Sequence, residues 1–381
     1  MTSATGRLQR AAESMGRPAL IPGEDQAAKL ADLIRDLRRP VSPVGDGKVI
    51  TSGFAYWGVA STLAWCRACD DLTYPVMRRS IHSFEERWKA VRGVLGEDPY
   101  HYVSLGPGNG VKDVFIVRHL LERNEELCYV PVDMSALMLE IGGQKLIDEV
   151  GLSPSDQVLP LQLDFSDSAN IARLRSLLDN VLDGHPVVFS LLGNTLSNFE
   201  HDSALLAMLS ERLLRDDDRV IVEVATTGSL DEGLDKLAAE EYEATNLFLQ
   251  WVTSPLQDCT DLTLDMDSVS FHGSIERNRC LRVVVLYTNR TGTELRLTLP
   301  DRSDVAFPAD DTIRLDLTRK YGVRELRTII ADAKLDELSA THLDLSSREH
   351  EFGVELLTLK RGPGRPTSAI SDGIWTAPSR Q

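Results

Sequence analysis

The chain has 381 residues, a formal net charge of −17 and a hydrophobic content of 42%. This length is sufficient for two domains of ordinary size or for one large domain. The acidic balance argues against nucleic acid and anionic membranes as partners, because binding to phosphate groups requires a basic surface. No apolar run reaches the length of a membrane span.

The sequence gives no sign of export or of a metal site. Residues 1–25 are polar, lack the apolar core of a signal peptide and predict disorder. Cys66 and Cys69 have the spacing of half a zinc site, but no second pair accompanies them, and the histidines are scattered. We therefore expect reduced thiols, no bound metal and a cytoplasmic protein.

The N-terminal part predicts helices separated by connectors. Apolar residues at near-helical spacing predict one helix over about 25–37 and another over about 76–95. Between them lie a turn-rich connector, Pro40–Lys48, and an aromatic segment that includes Tyr56 and Tyr74. Packing in a core is the simplest interpretation of any single one of these aromatic residues.

The middle of the chain predicts an alternation of strands and helices. The predicted strands lie near 101–105, 127–132, 157–163, 186–192 and 219–225. The predicted helices lie near 111–123, 135–149, 167–182 and 201–214. This order indicates right-handed βαβ units, an α/β fold and a mostly parallel sheet. In such sheets ligands bind beyond the carboxyl ends of the strands.

The character of the sequence changes after about residue 225. A helix is predicted over 229–250, and period-two alternation then predicts antiparallel strands within 261–315, the first of them at 262–266. A final helix and two apolar runs would complete the sheet; they lie at about 321–333, 335–345 and 352–360. The tail over 362–381 is rich in Pro, Gly and Ser and predicts a flexible segment.

A glycine-rich turn follows the first strand of the alternation. It contains Gly106, Gly108 and Gly110, and an acid, Asp133, ends the next strand. Glycines let the backbone approach a ligand closely. An acid about 20 residues further along the chain is suited to bind ribose hydroxyls. The turn reads G-x-G-x-G, so it lacks the last glycine of the dinucleotide motif G-x-G-x-x-G. The Lys-Ser/Thr pair of a phosphate loop is also missing. These features favour S-adenosylmethionine (SAM), although a plain strand-to-helix connection is the alternative.

Two further strand ends carry residues suited to the same crevice. Asp164 and Phe165 follow the third strand, where the acid can accept from an adenine amino group and the ring can lie on the base. Asn194 and Asn198 follow the fourth strand, where amides orient a ligand without ionising; we assign Asn194 to the cofactor and Asn198 to the substrate. The alternatives are a helix cap with a core ring, and a turn that uses Asn and Gly for special backbone angles.

Four motifs together resemble the histidine Nα-methyltransferases of the ergothioneine pathway. They are LGPGNG, YVPVD, LQLDF and LLGNTLSNF, and the resemblance is best over about 100–225. It implies a Rossmann-like class I methyltransferase sheet with a second α+β domain for the substrate. The substrate domain would comprise 26–78 plus 227–320, and the SAM domain 79–226 plus 321–361. The activity implied is methyl transfer from SAM to the α-amine of an amino acid.

The resemblance also implies roles for individual residues. Those implied to contact the cofactor are Tyr56, Gly106, Gly108, Lys112, Asp133, Asp164 and Phe165. Tyr74 and Asn198 would contact the amino acid. Histidine-specific members carry a Glu-x-Ser pair for the imidazole, and the comparable positions here are Asp316 and Thr318. The shorter acid and the added methyl group imply a different side chain, since a pocket built to hydrogen-bond one group discriminates against others.

We therefore predict N-methylation of a small amino-acid-like molecule other than histidine, in specialised metabolism, by a monomer or dimer. Tyr74, Asn198 and Asp316 are the predicted catalytic residues, which position or deprotonate the amine. Two alternatives stay open. One is O-methylation of a hydroxyl or carboxylate, and the other is a non-catalytic protein that keeps the SAM pocket.

Overall fold

The computed structural model describes residues 26–69 and 75–363. Its helices are α1 Gln26–Leu37, α2 Val59–Cys69, α3 Pro75–His82, α4 Phe84–Val91, α5 Val111–Leu121, α6 Ala136–Val150, α7 Ser168–Val181, α8 Asp202–Met208, α9 Leu234–Glu243, α10 Asn246–Cys259 and α11 Val323–Asp332. Its strands are β1 Lys48–Val49, β2 His101–Leu105, β3 Tyr129–Asp133, β4 Leu161–Gln162, β5 Val187–Leu191, β6 Arg219–Thr227, β7 Val269–Glu276, β8 Cys280–Thr288, β9 Leu295–Thr298, β10 Asp304–Phe307, β11 Thr312–Gly322, β12 Leu335–Asp344 and β13 Phe352–Arg361. The predictions for residues 1–25, for Tyr74 and for most of the tail lie outside the described residues.

A mostly parallel sheet forms the centre of the fold. Strands β4, β3, β2, β5 and β6 lie side by side in that order and are all parallel. Strand β13 then pairs antiparallel with β6 and with β12. The chain moves outward from β2 in one direction through β3 and in the other through β5, so a topological switch point lies between β2 and β5. The structure is a Rossmann-like α/β fold, as predicted.

Alternating side chains of the strands bury both faces of this sheet. Val103 and Val130 face a core that contains apolar residues of α7, α8 and α11. Their chain neighbours Tyr102 and Tyr129 face the opposite core, with α4, α5 and α6. Helices α5 and α8, which follow β2 and β5, therefore lie on opposite faces, and the loops that lead to them separate at the switch point. The crevice between these two loops is where such sheets bind ligands.

A third core combines residues that precede the parallel strands in sequence with residues that follow them. This core joins apolar residues of α1, α2, α9 and α10 with residues of β8 and β11. Strand β11 continues the main sheet, because its end pairs parallel with β6 at Tyr321 and Gly322 while its length pairs antiparallel with β8. The assignment of this third core to a separate substrate domain stays a prediction.

The secondary structure differs from the predictions at several places. Residues 262–266 do not form a strand: Leu262 and Leu264 pack on the core with the predicted alternation, but no neighbouring strand pairs with them. The helix predicted over 229–250 is two helices, α9 and α10, since Thr245 is extended and interrupts them. The helix α2 was not predicted, because its apolar residues were interpreted only as aromatic core. Within the described chain, no helix has the length and apolar character needed to span a bilayer.

Candidate active site

A large cavity of about 540 Å³ opens at the switch point of the sheet. Its volume is within the range of about 300–1,000 Å³ that is usual for small-molecule sites. The predicted site residues that line it are Tyr56, Gly106, Gly108, Lys112, Asp133, Asp164, Phe165 and Asn198. These residues come from the ends of successive strands and from the segment before α2, so the fold brings together positions far apart in sequence.

The glycine turn forms part of the wall of the large cavity, where Gly106 and Gly108 contribute backbone only. Gly106, Gly108 and Gly110 all have positive φ angles, of 75°, 56° and 74°. A Cβ on Gly108 would meet no atom within 4 Å, whereas one on Gly110 would approach the carbonyl oxygen of Gly142 in α6 to 3.0 Å. Gly110 therefore permits close helix packing, and Gly108 leaves space beside the backbone for a ligand.

Asp133 faces the same cavity from the end of β3. Its carboxylate accepts a hydrogen bond from the backbone N–H of Ser135 at 2.8 Å. The Ser135 hydroxyl, in turn, caps α6 by accepting from Met138 N at 3.2 Å. Asp133 is therefore not needed as the cap of α6. Burial raises the pKa of Asp133 to about 7, so a ligand that donates hydrogen bonds would favour its ionised form.

Asp164 and Phe165 line the cavity beyond the end of β4. One carboxylate oxygen of Asp164 accepts from the backbone N–H and the hydroxyl of Ser166, at 2.8 and 2.6 Å. The other pairs with Lys29 of α1. Burial alone would raise the pKa of Asp164, but Lys29 and Ser166 lower it below the ordinary value. The ring of Phe165 packs against Phe199, with centroids 5.5 Å apart.

A second, small cavity of about 40 Å³ adjoins the large one. It is lined by Asn194, Asp316 and Thr318, and by a group of aromatic side chains. Those aromatic residues are Tyr56, Trp65, Tyr242, Phe248 and Trp251. Asn194 lines only the small cavity, since its amide donates to Thr318 Oγ1 at 3.0 Å and accepts from Ala225 N at 2.8 Å. Its predicted contact with the cofactor stays a prediction.

Asp316 is the acidic group of the small cavity. Asp316 is only 4% exposed. Its Oδ1 atom has no hydrogen-bond partner within the described residues. Burial raises the pKa of Asp316 to about 6. A buried acceptor without a partner costs free energy unless a ligand supplies a donor. The carboxylate is therefore suited to a hydrogen-bond donor of a bound molecule.

Tyr56 separates the two cavities and lines both of them. Burial, and next the carboxylate of Asp316, raise its pKa well above the ordinary value, and Asp133 raises it further. The phenol therefore stays protonated and can donate a hydrogen bond on either side. Trp65, Met77, Gly193 and Asn198 also line both cavities. Molecules bound in the two cavities would share this wall.

Several lining residues were not predicted from the sequence. Lys29 lies in the same helix as well-spaced apolar residues, and nothing in its local pattern distinguishes it from a solvent-exposed lysine. Trp65 was covered by the interpretation as a core aromatic residue, which holds for part of its ring, whereas no role was predicted for Trp251. Tyr242 could not be placed from the sequence, and the structure brings it to the small cavity with Asp316 and Thr318.

The part of the chain that the structure describes contains no recognisable metal-binding site. No group of three or more His, Cys, Asp or Glu side chains is arranged there to hold a metal ion. The expectation that the protein needs no metal stays a prediction.

A Rossmann-like sheet with a ligand-sized cavity at its switch point defines the class of α/β proteins that bind nucleosides and their derivatives. Within this class, the model of the family described as histidine-specific methyltransferase, SAM-dependent, matches residues 62–357. The chain belongs to this family and is a SAM-dependent methyltransferase. A comparison with curated proteins finds no significant match to the sequence.

Solved structures with similar folds include other methyltransferases. Magnesium protoporphyrin IX methyltransferase from Synechocystis PCC 6803, with bound S-adenosylhomocysteine (SAH), is 12% identical. The TM-score is 0.40, and the match covers 81% of this chain and 97% of that chain. The 1,6-didemethyltoxoflavin-N1-methyltransferase from Burkholderia thailandensis is also 12% identical, with a TM-score of 0.39 over 86% and 97%. Similarity at this level says nothing about the molecule that the present protein methylates.

Proposed function

We propose that the protein transfers the methyl group of SAM to the amine of a small amino-acid-like molecule other than histidine. SAM would occupy the large cavity and the acceptor would extend into the small one. The observation that carries the proposal is the buried Asp316 Oδ1, which has no hydrogen-bond partner among the described residues and lies in a cavity that shares a wall with the large one. When bound, SAM supplies a methyl group already activated by its sulfonium centre.

The large cavity has groups that fit each part of SAM. Asp133 offers a carboxylate to the ribose hydroxyls, and Asp164 with Phe165 offers an acceptor and an aromatic face to adenine. Gly106 and Gly108 expose backbone to the remaining amino-acid part, beside the ammonium of Lys112. Support for this arrangement comes from the order of these residues, which follows the order of adjacent strands.

The small cavity would select and orient the acceptor. Asp316 would accept a hydrogen bond from a donor on the acceptor's side chain, and the aromatic walls would exclude water from the reacting amine. Asn198, on the shared wall, would hold the acceptor's polar head, and Tyr56, on the same wall, would contact the cofactor. An amine reacts through its neutral form, and desolvation between aromatic rings favours that form. Proximity and alignment supply most of the remaining rate enhancement.

The acceptor differs from histidine because the acid at position 316 is aspartate. The carboxylate of aspartate lies one methylene nearer to β11 than that of a glutamate, so the donor that reaches it must extend further. Thr318 does not compensate with a free hydroxyl, since its Oγ1 accepts from Asn194 Nδ2 and contacts Ser197 Oγ at 3.3 Å. Longer or larger amino-acid side chains with a hydrogen-bond donor therefore fit this subsite better than imidazole.

The test is a search for acceptors with the purified full chain. Calorimetry on the SAH complex, with histidine and then with amino acids bearing longer donor side chains, identifies binders. Mass spectrometry after incubation with SAM identifies products. We expect binding and methylation of such an amino acid, with histidine at least about tenfold weaker. Preferred use of histidine would contradict the proposed selectivity, and a methyl group released by mild base would show an ester and hence O-methylation.

A further inference from the structure

A cluster of buried charged groups lies directly behind the large cavity. At its centre is Glu223 of β6, whose carboxylate accepts hydrogen bonds from several donors on other elements. The donors are Arg87 Nη2 at 2.5 Å, Ser80 Oγ at 2.7 Å, Gly193 N at 2.8 Å and the Nζ of Lys112. None of the predicted roles uses Glu223, Arg87 or Ser80.

The cluster has one more positive charge than negative charge. Arg87, Lys112 and Glu223 are 5%, 8% and 0% exposed, so solvent does little to neutralise them. Burial alone would raise the pKa of Glu223, but Lys112 and Arg87 lower it to about 2, so its carboxylate carries a full charge. Burial lowers the pKa of Lys112, and Arg87 lowers it further, while Glu223 opposes both. An uncompensated buried charge is costly and favours binding of a counter-ion.

The neighbouring acid, Asp113, also lines the cavity and offsets the surplus only through space, because it makes no hydrogen bond to Lys112 in the described structure. Asp113, next to Lys112 in α5, accepts hydrogen bonds from the hydroxyls of Tyr102 and Tyr129, both at 2.7 Å. Burial raises the pKa of Asp113 to about 6, although these hydroxyls and Lys112 oppose the effect. Its two oxygen atoms thus accept from the tyrosine hydroxyls, which hold the carboxylate away from a direct contact with Lys112.

Arg87 supplies the surplus charge from outside the cavity. It belongs to α4 and does not line the cavity, whereas Lys112 does. Its Nη2 atom also donates to the carbonyl oxygen of Ser80 at 2.9 Å, and its Nη1 atom is buried with no hydrogen-bond partner in the described structure. If Arg87 were neutral, Glu223 and Lys112 would balance each other and present no net charge to a ligand.

We propose that Arg87 is a positioning residue that gives the Glu223 cluster its surplus positive charge, which Lys112 presents to the carboxylate of SAM. The proposal rests on the proposed placement of SAM, with ribose at Asp133 and adenine at Asp164. That placement leaves the amino-acid end of SAM beside Lys112 and Gly193. A Cβ on Gly193 would lie only 3.9 Å from Lys112 Nζ, so the absence of a side chain there leaves the ammonium accessible.

The experiment compares SAM with decarboxylated SAM, which keeps the sulfonium and the amine and lacks only the carboxylate. Calorimetry with the full chain gives the affinity ratio of the two ligands, which measures the contribution of the carboxylate. The variants are Arg87→Met, the conservative Arg87→Lys, and the control Lys89→Met. Lys89 lies in the same helix but is exposed and pairs with Glu85.

We expect the affinity ratio to fall about tenfold in Arg87→Met, which corresponds to one lost charge interaction. We expect Arg87→Lys to recover most of the ratio and Lys89→Met to keep that of the wild type. Binding of decarboxylated SAM shows that each variant retains a folded cavity. An unchanged ratio in Arg87→Met, or an equal loss for both ligands, would overturn the proposal.

A second variant guards against a folding defect. Glu223→Gln keeps the size of the side chain and one acceptor oxygen and raises the cluster's charge, so the ratio should stay at least as high as in the wild type. A fall in this ratio would contradict the charge argument even if Arg87→Met does not fold. Failure of the wild type to bind either ligand would instead remove the proposed placement of SAM, and this proposal with it.

Discussion

The two cavities are built from the chain in different ways. On the proposed SAM side, Asp133 and Asp164 each follow a strand of one continuous parallel sheet, so their order in sequence matches their order in space. On the proposed acceptor side, Tyr56, Tyr242, Trp251 and Asp316 come from elements that meet only through the third core. The SAM side therefore depends on the sheet, and the acceptor side depends on packing between distant segments. The predictions below test whether the two sides can be disabled independently.

The largest expected effect is on the SAM side. Asp133→Asn removes the charge that would accept both ribose hydroxyls, and we expect SAH to bind about 100-fold more weakly, as for loss of charge-assisted hydrogen bonds. Calorimetry provides the measurement. Asp167→Asn is a matched control, because Asp167 caps α7 by accepting from Ala169 N at 2.6 Å and does not line the cavity. Equal effects of the two variants would remove the role of Asp133.

The next effect separates the acceptor side from the SAM side. We expect Asp316→Asn to reduce methylation of the best acceptor about 30-fold, because the amide carries no charge for the acceptor's donor. SAH affinity should stay within about twofold of the wild type, since Asp316 does not line the large cavity. The measurement is kcat/KM for the acceptor beside SAH calorimetry. A parallel loss of SAH affinity would show that the two sides are not separable.

A pH dependence follows from the pKa of Asp133, which burial raises to about 7. Ribose hydroxyls favour the ionised form, so SAH affinity should fall about tenfold between pH 8 and pH 6. Asp133→Asn should abolish this dependence, and a dependence that persists there would assign it to another group. The sign for stability is opposite: the folded state binds the extra proton, so the ligand-free wild type loses stability relative to Asp133→Asn as the pH rises from about 4 to 7.

The smallest effect concerns Lys29, which joins α1 to the SAM side. We expect Lys29→Met to weaken SAH binding about threefold and to increase amide hydrogen exchange over 26–37, because α1 loses its ion pair with Asp164. Arg35→Met is the control for hydrogen exchange only: Arg35 lies in the same helix, is exposed and pairs within it with Asp32, but it also lines the large cavity. Faster exchange in both variants alike would show that α1 is held by its apolar face and not by Lys29.

The sequence predicted the parallel part of the fold because its signals are local. A strand, a turn and a helix each have a pattern within a few residues, and the acids that end strands β3 and β4 follow directly from those patterns. Alternation misled at 262–266 because a period of two reports which side chains are buried, and Leu262 and Leu264 are packed without a partner strand. An alternating pattern therefore predicts which side chains are buried, but it does not predict that a neighbouring strand pairs with the segment.

The acceptor side was harder to predict because its residues have no local signature. Asp316 and Thr318 were found only through a resemblance, whereas Tyr242 and Trp251 required the packing of α9 and α10 onto β11. The ion pair between Lys29 and Asp164 joins residues 135 positions apart, and no pattern in either segment indicates the other. The charge surplus around Glu223 is likewise visible only when four elements are assembled.

The wall that contains Tyr56, Trp65 and Asn198 faces both cavities. A ligand in one cavity that fixes these side chains lowers the conformational cost of binding in the other. The two affinities are then linked, and the linkage is reciprocal: the factor by which SAM tightens the acceptor equals the factor by which the acceptor tightens SAM. If the wall couples the two cavities in this way, departure of the methylated product lowers the affinity for SAH.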